Sequence, residues 1–188
     1  EAIAAEWRTV TRTIDPRAMP MTGLSNGAID RIEPELETFK QGLARYADAD
    51  LACYRAETPR ELVVRQEIAW DPLLDWARKR YDIDFVTTSG LLHVAQPAAV
   101  VAQLSAAILA LDAFHLAGLS QLATIGGSLI GALAVLEKAI TPNEAWDAIS
   151  IDERWQIERW GADMEAGAAI ENRRRDFLAA AHFLDLLG

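Results

Sequence analysis

Trp70-Asp71-Pro72-Leu73-Leu74-Asp75-Trp76 packs two of the chain's six tryptophans, two aspartates and a proline into one short run. A proline directly after an acid suits the first turn of a helix. The stretch therefore predicts Asp71 as an N-cap, Pro72 as the first helical position and a helix over 72–81. Trp70 then precedes the cap and Trp76 lies one turn beyond Pro72 and Leu73, so the two indoles can close over the helix start as a staple does. Large aromatics are core more often than contact surface, and the expectation is a packed helix start that builds the scaffold.

Working outward, the same helical punctuation recurs. Thr58-Pro59-Arg60-Glu61 and Thr141-Pro142-Asn143-Glu144 each place a hydroxyl at the cap, proline at the first position and glutamate at the third. That pattern is a capping box, and Ser150-Ile151-Asp152-Glu153 offers a third. Gln96-Pro97, Asn26-Gly27 and Glu33-Pro34 supply further breaks. Helices are predicted over 1–12, 22–32, 34–47, 59–68, 72–81, 97–113, 115–137, 142–149 and 151–187. Strand signal is confined to 51–55 (LACYR) and 85–94 (FVTTSGLLHV), with a turn at Ser89-Gly90. The fold class is mainly α: a multi-helix orthogonal bundle with a few short strand segments, forming a single helical domain over 1–188.

Composition narrows the function. With 51% hydrophobic and 24% charged residues the chain can bury a sizeable core. Its formal net charge of -10 opposes nucleic acid and anionic membranes and favours a neutral or basic protein partner. The single cysteine, Cys53, excludes an internal disulfide framework and fits a reducing compartment. Arginine far outnumbers lysine, as in bacteria with GC-rich genomes, and a cytoplasmic setting is expected, or a mitochondrial matrix if the source is eukaryotic. Residues 85–111 and 113–136 carry no Asp, Glu, Lys or Arg. Both hold too many hydroxyl, amide, glycine and proline residues for a membrane span and are expected to be buried central helices, without membrane insertion. The charged, amphipathic start is no signal peptide.

The inventory for chemistry is thin. No phosphate loop, dinucleotide fingerprint or Cys- and His-based metal pattern occurs. Asp112 and His115, at i and i+3, are expected to form a buried hydrogen-bonded pair before a metal site. Gly126-Gly127-Ser128 lacks the strand that a nucleophile elbow needs and reads as close helix packing. Cys53 and His93 could form a dyad only if their segments met, and the Leu-Ala-Cys-Tyr setting favours an inert thiol. In the last predicted helix, Ile151, Trp155, Ala162, Ala166, Ile170, Phe177, Ala181 and Leu184 follow one core stripe, and Gly161 and Gly167 mark a kink or tight crossing. Arg173, Arg174 and Arg175 read as a solvated face with carboxylate partners such as Glu171.

Four ordered motifs then carry a resemblance: 19–30 (MPMTGLSNGAID), 50–56 (DLACYRA), 70–76 (WDPLLDW) and 160–166 (WGADMEA). Together they resemble the ATP-twelve family of assembly chaperones for the catalytic head of ATP synthase. The resemblance implies a non-enzymatic, monomeric protein that uses no cofactor or metal. It would bind the free alpha subunit, cover its beta-facing surface and promote assembly of the complex. Gly27 stands where the family is expected to have a small hydroxyl residue. Family members usually carry a β-rich domain ahead of an Ala-Ala-Glu-Trp segment, found here at Ala4–Trp7, so the resemblance is to the C-terminal helical domain of a two-domain chaperone.

The motif maps onto Trp160, Gly161, Asp163 and Glu165 and implies partner contacts at Trp160, Asp163 and Glu165, with Glu165 a client or interdomain contact. Glu158, seven residues before Glu165, is predicted on the same face. A surface ion pair is the competing reading of Glu165. A small helical enzyme using Asp112, His115 or Cys53 with His93, and a structural homo-oligomer built on the apolar region 97–136, stay open as alternatives.

Overall fold

The computed structural model describes residues 1–90, 92–161 and 164–188. The fold is mainly α. Its α-helices are α1 (Ala2–Arg8), α2 (Pro20–Gly27), α3 (Leu36–Ala44), α4 (Arg60–Tyr81), α5 (Ala98–Leu109), α6 (Ala113–Gly126), α7 (Leu129–Leu136), α8 (Pro142–Ile149), α9 (Ile151–Trp160) and α10 (Met164–Asp185). A π-helical turn, Ala28–Ile32, continues α2. The strands among the described residues are β1 (Tyr54–Arg55) and β2 (Thr88–Ser89), paired in parallel and lying inside the two predicted segments.

The run at 70–76 departs from its sequence reading. Asp71 is no N-cap, because α4 passes unbroken through Pro72 and joins the predicted helices 59–68 and 72–81. Proline withholds the N–H that would reach the Ile68 carbonyl. Ile68 is 71% exposed, so that turn faces solvent and water can take the freed carbonyl. The buried side of the helix meanwhile packs Leu62, Gln66, Trp70, Leu73, Leu74 and Ala77. Trp70 is in the core and its indole N–H donates to the Ala148 carbonyl at 2.8 Å. Trp76 is half-buried against the edge of Tyr81.

Of the three predicted capping boxes one forms. Thr141 accepts from the Glu144 amide and the Glu144 carboxylate accepts from the Thr141 N–H. The Ser150 hydroxyl instead donates back to the Trp146 carbonyl at 2.7 Å, because this one residue links α8 directly to α9. At 58–61 no side chain caps α4, whose cap position is Pro59.

The core sits on α6, α7 and the second half of α10. The predicted helix 115–137 is split at Gly127, whose φ of 65° lies in the left-handed region that glycine tolerates. The turn is fastened by a fully buried carboxylate. Asp50 Oδ1 accepts from the Ala52 N–H and the Ser128 hydroxyl, and Oδ2 accepts from the Ile130 N–H. Ser128 in turn caps α7 by accepting from the Gly131 N–H. One side chain thus pins the segment before β1 onto the start of the most apolar helix, with the Leu51 N–H adding a bond to the Gly127 carbonyl. A second remote carboxylate, Glu6, accepts from the Met21 and Thr22 amides and ties α1 to the start of α2.

Close packing fixes how α10 meets α6. A Cβ on Gly118 would lie 2.6 Å from Leu184 Cδ2, well inside contact distance. Gly118→Ala is accordingly expected to destabilise the fold by about 1–2 kcal/mol, the overpacking outweighing the gain in helix propensity. Urea denaturation measures this, and a stabilised variant would show that the two helices can separate freely.

Candidate functional site

The predicted helix 151–187 is broken at Gly161, whose φ of 88° ends α9. The break undoes the placement of Glu158 and Glu165 on one face, since that spacing requires a continuous helix. It also confines the core stripe of α10: Phe177, Ala181 and Leu184 are buried, Ile170 is half-buried and Ala166 is exposed. Ala162 and Asp163, the latter a predicted contact, lie outside the described residues.

What the break creates is a corner. Trp160 closes α9 with 72% of its surface exposed, its ring edge against Trp155 at 5.4 Å between centroids. Glu165 opens α10 and is solvent-exposed, where a carboxylate is favoured by the helix dipole. Glu158 is committed elsewhere, accepting from Arg65 of α4 at 2.6 Å, and Arg65 also reaches Glu61. Between α9 and α10 runs a groove of about 410 Å³, walled by Ile157, Trp160, Ala166, Ala169 and Ile170. Its base holds Glu153 and Arg173, which form an ion pair, while Arg173 also donates to the Ile125 carbonyl at 2.8 Å. Among the described residues Glu153 Oε2 is buried without a hydrogen-bond partner. A solvent-facing tryptophan beside an apolar groove that also holds a charged pair has the makeup of a protein-binding surface, where aromatic anchors supply affinity and charges supply register.

Of the contact residues named from sequence, Trp160 borders the groove, Glu165 lies in the first turn of α10 and Glu158 is turned to α4, while Arg65, Glu153 and Ile157 are not among them. Arg65 and Glu158 are 93 residues apart and nothing local links them. Each arginine of the run 173–175 has a carboxylate partner, as its sequence reading expects. Arg174 pairs with Glu171 and donates to Asn143, Arg175 pairs with Asp176, and half-buried Arg173 pairs with Glu153 and donates to the Ile125 carbonyl.

The other candidates resolve as structural. Trp70 and Pro72 are in α4 as described, and Asp71, half-exposed, accepts from the buried Arg55 at 2.6 Å. Asp112 caps α6 and its carboxylate meets both the backbone N–H and Nδ1 of His115 at 2.9 Å. This pair sits at the surface, correcting the expected buried one; partial burial acts to raise the Asp112 carboxyl, and the bonds from His115 together outweigh it and hold the group below its ordinary value. Cys53 is fully buried, and burial first, then the Asp50 charge, pushes its thiol up to about 12. His93 bonds the Tyr54 hydroxyl and the Asp48 carboxylate instead of the thiol. Gly126 does mediate close packing, a Cβ there meeting Ile149 at 2.9 Å. Among the described residues no three His, Cys, Asp or Glu side chains converge as a metal site would need, and no helix is long and apolar enough to cross a membrane.

Comparison with known proteins adds to this geometry. The profile of a family described as ATP12 chaperone protein matches residues 1–78. The crystal structure of Atp12 from Paracoccus denitrificans is similar over 98% of this chain and 79% of that one, at 39% identity and a TM-score of 0.93. The Atu1473 protein from Agrobacterium tumefaciens matches over 100% of this chain and 72% of that one, at 34% identity and the same TM-score.

Proposed function

This chain belongs to the ATP12 chaperone family, and from that premise we propose that it binds the free alpha subunit of the ATP synthase catalytic head. In this reading the 188 residues act as one helical, monomeric, non-enzymatic domain of a two-domain chaperone. It shields the surface through which alpha later meets beta and promotes assembly of the complex. The observation that carries the reading is the corner between α9 and α10, where a large aromatic is left almost bare beside an apolar groove. A tryptophan held edge-on by another costs little side-chain entropy when a partner covers it.

Glu165 is proposed as a charged contact at the rim, with Trp160 as the anchor. Glu158 contributes by fixing α9 to α4 through Arg65. Purified protein is expected to hold isolated alpha subunit in solution. Trp160→Ala should weaken that capture about thirtyfold, the loss typical of an interface hot spot, without shifting the melting transition. Glu165→Lys tests the rim by charge reversal. Inability of the unmodified protein to keep alpha soluble would rule the proposal out.

A further inference from the structure

On the other side of α9 a second cavity, of about 400 Å³, opens between β1, the first turns of α4 and α9. Leu62, Trp70 and Trp155 give it a buried, largely aromatic lining, and half-buried Tyr54 adds a further ring. Two buried polar side chains share this lining, and each is already engaged. Arg55, 8% exposed, donates to the Ala52 carbonyl and to Asp71, each at 2.6 Å, and stacks on the Trp70 ring at 5.1 Å. Gln66, 2% exposed, accepts from the Ala56 N–H and donates to Asp152 Oδ1 at 2.7 Å.

The charge that is not balanced is negative. Glu57 and Asp152 both line the cavity, and among the described residues neither has a cationic partner. Glu57 is exposed at the cavity mouth and its carboxylate lies over Gly90, where a Cβ would fall 3.0 Å from Glu57 Oε1. Arg55 does not offset these carboxylates, because Asp71 already neutralises it.

We propose that this cavity receives one arginine side chain presented by the chaperone's client. Guanidinium suits it on every count. It is flat and weakly hydrated, it stacks on aromatic faces, and it carries several donors for carboxylate acceptors. Its aliphatic stem can lie on the apolar lining while the head meets the charge. An acidic ligand would meet two like charges. A purely apolar one would bury those carboxylates unpaired. The net charge of -10 further concentrates cationic segments near the surface. The source of the side chain rests on the chaperone reading above; the cavity's selectivity for it does not.

The test uses acetyl-arginine amide as the probe, titrated into the protein carrying ¹⁵N-labelled tryptophan. Saturable shifts of the Trp155 and Trp70 indole signals are expected, absent with acetyl-norleucine amide, which has a similar stem and no charge. Glu57→Gln, which breaks no hydrogen bond or ion pair among the described residues, should weaken binding about fivefold, as loss of an exposed ion pair does. Asp152→Asn should act in the same direction. No saturable shift, equal shifts with the norleucine amide, or undiminished binding to Glu57→Gln would each overturn the proposal. Because the probe is a single amino-acid amide, its failure leaves capture of alpha untouched, and failure of capture leaves the titration to be read by itself.

Discussion

Asp50→Ala is expected to remove about 4–6 kcal/mol of stability, enough to bring a domain of this size to the edge of folding. The carboxylate accepts two backbone N–H groups and one hydroxyl, all in the interior, and joins the segment before β1 to the start of α7. Alanine offers none of these donors an acceptor, and each buried unpaired donor costs about 1–3 kcal/mol. Asp50→Asn keeps the shape but turns an N–H₂ toward either Ile130 or the Ala52 and Ser128 donors, and should cost about 2–3 kcal/mol. Equilibrium urea denaturation followed by circular dichroism measures both. A midpoint for the alanine variant equal to that of the unmodified protein would mean that this junction contributes nothing.

The same residue predicts an unusual pH response. Burial raises the Asp50 carboxyl from its ordinary 3.8 to about 6, the donors around it opposing that rise only in part. The folded state therefore binds this proton more tightly than the unfolded state. The resulting stabilisation is complete below about pH 4 and is lost as pH rises through about 6, amounting to about 3 kcal/mol across that window. Most native carboxylates behave oppositely and weaken the fold on acidification. Asparagine cannot titrate, so the gap between the unmodified protein and Asp50→Asn should narrow as pH rises from 4 to 7. A gap that stays flat would show that the hydrogen bonds, not burial, set this group's proton affinity.

Much of the helical framework could be read from capping chemistry and apolar periodicity, because those signals are local. Thr141 and Glu144 lie within one turn of each other, and the box they predict forms. The misses are places where tertiary packing overrides local chemistry. Pro72 reads as a helix start, yet the buried face of Leu62, Trp70 and Leu74 holds one continuous helix through it. Gly127 reads as a packing glycine, whereas its positive φ ends a helix; Gly161 reads as a kink or tight crossing, and its positive φ goes further and ends α9. Asp50 gave no warning at all, since its acceptor role depends on residues 78 and 80 positions away. The candidate site divides in the same way. Trp160 and Glu165 stand out in sequence, but the groove beside Trp160 depends on the helix break at Gly161 and on Arg173 of α10 reaching Glu153 of α9 and the Ile125 carbonyl of α6, partners 20 and 48 residues away.

Trp70→Ala should cost about 3–5 kcal/mol, the range for deleting a large buried aromatic, and the substitution separates scaffold from contact within the aromatic set. Trp70 is 1% exposed, donates to the Ala148 carbonyl and carries the Arg55 guanidinium on its ring, so its loss strikes α4, α8 and β1 together. Trp70→Phe keeps most of the apolar volume but leaves that carbonyl without its donor, and about 1–3 kcal/mol is expected. Trp76→Ala, half-buried against Tyr81 alone among the rings, should cost less than Trp70→Ala. Trp160→Ala should leave the unfolding midpoint nearly unchanged while weakening capture of the client, since the indole is mostly in solvent. Measured per mole of folded protein, capture should therefore fall for Trp160→Ala and hold for Trp76→Ala. Equal loss of capture in both, with stability intact, would move the client-binding surface onto α4 and make the 70–76 run a contact after all.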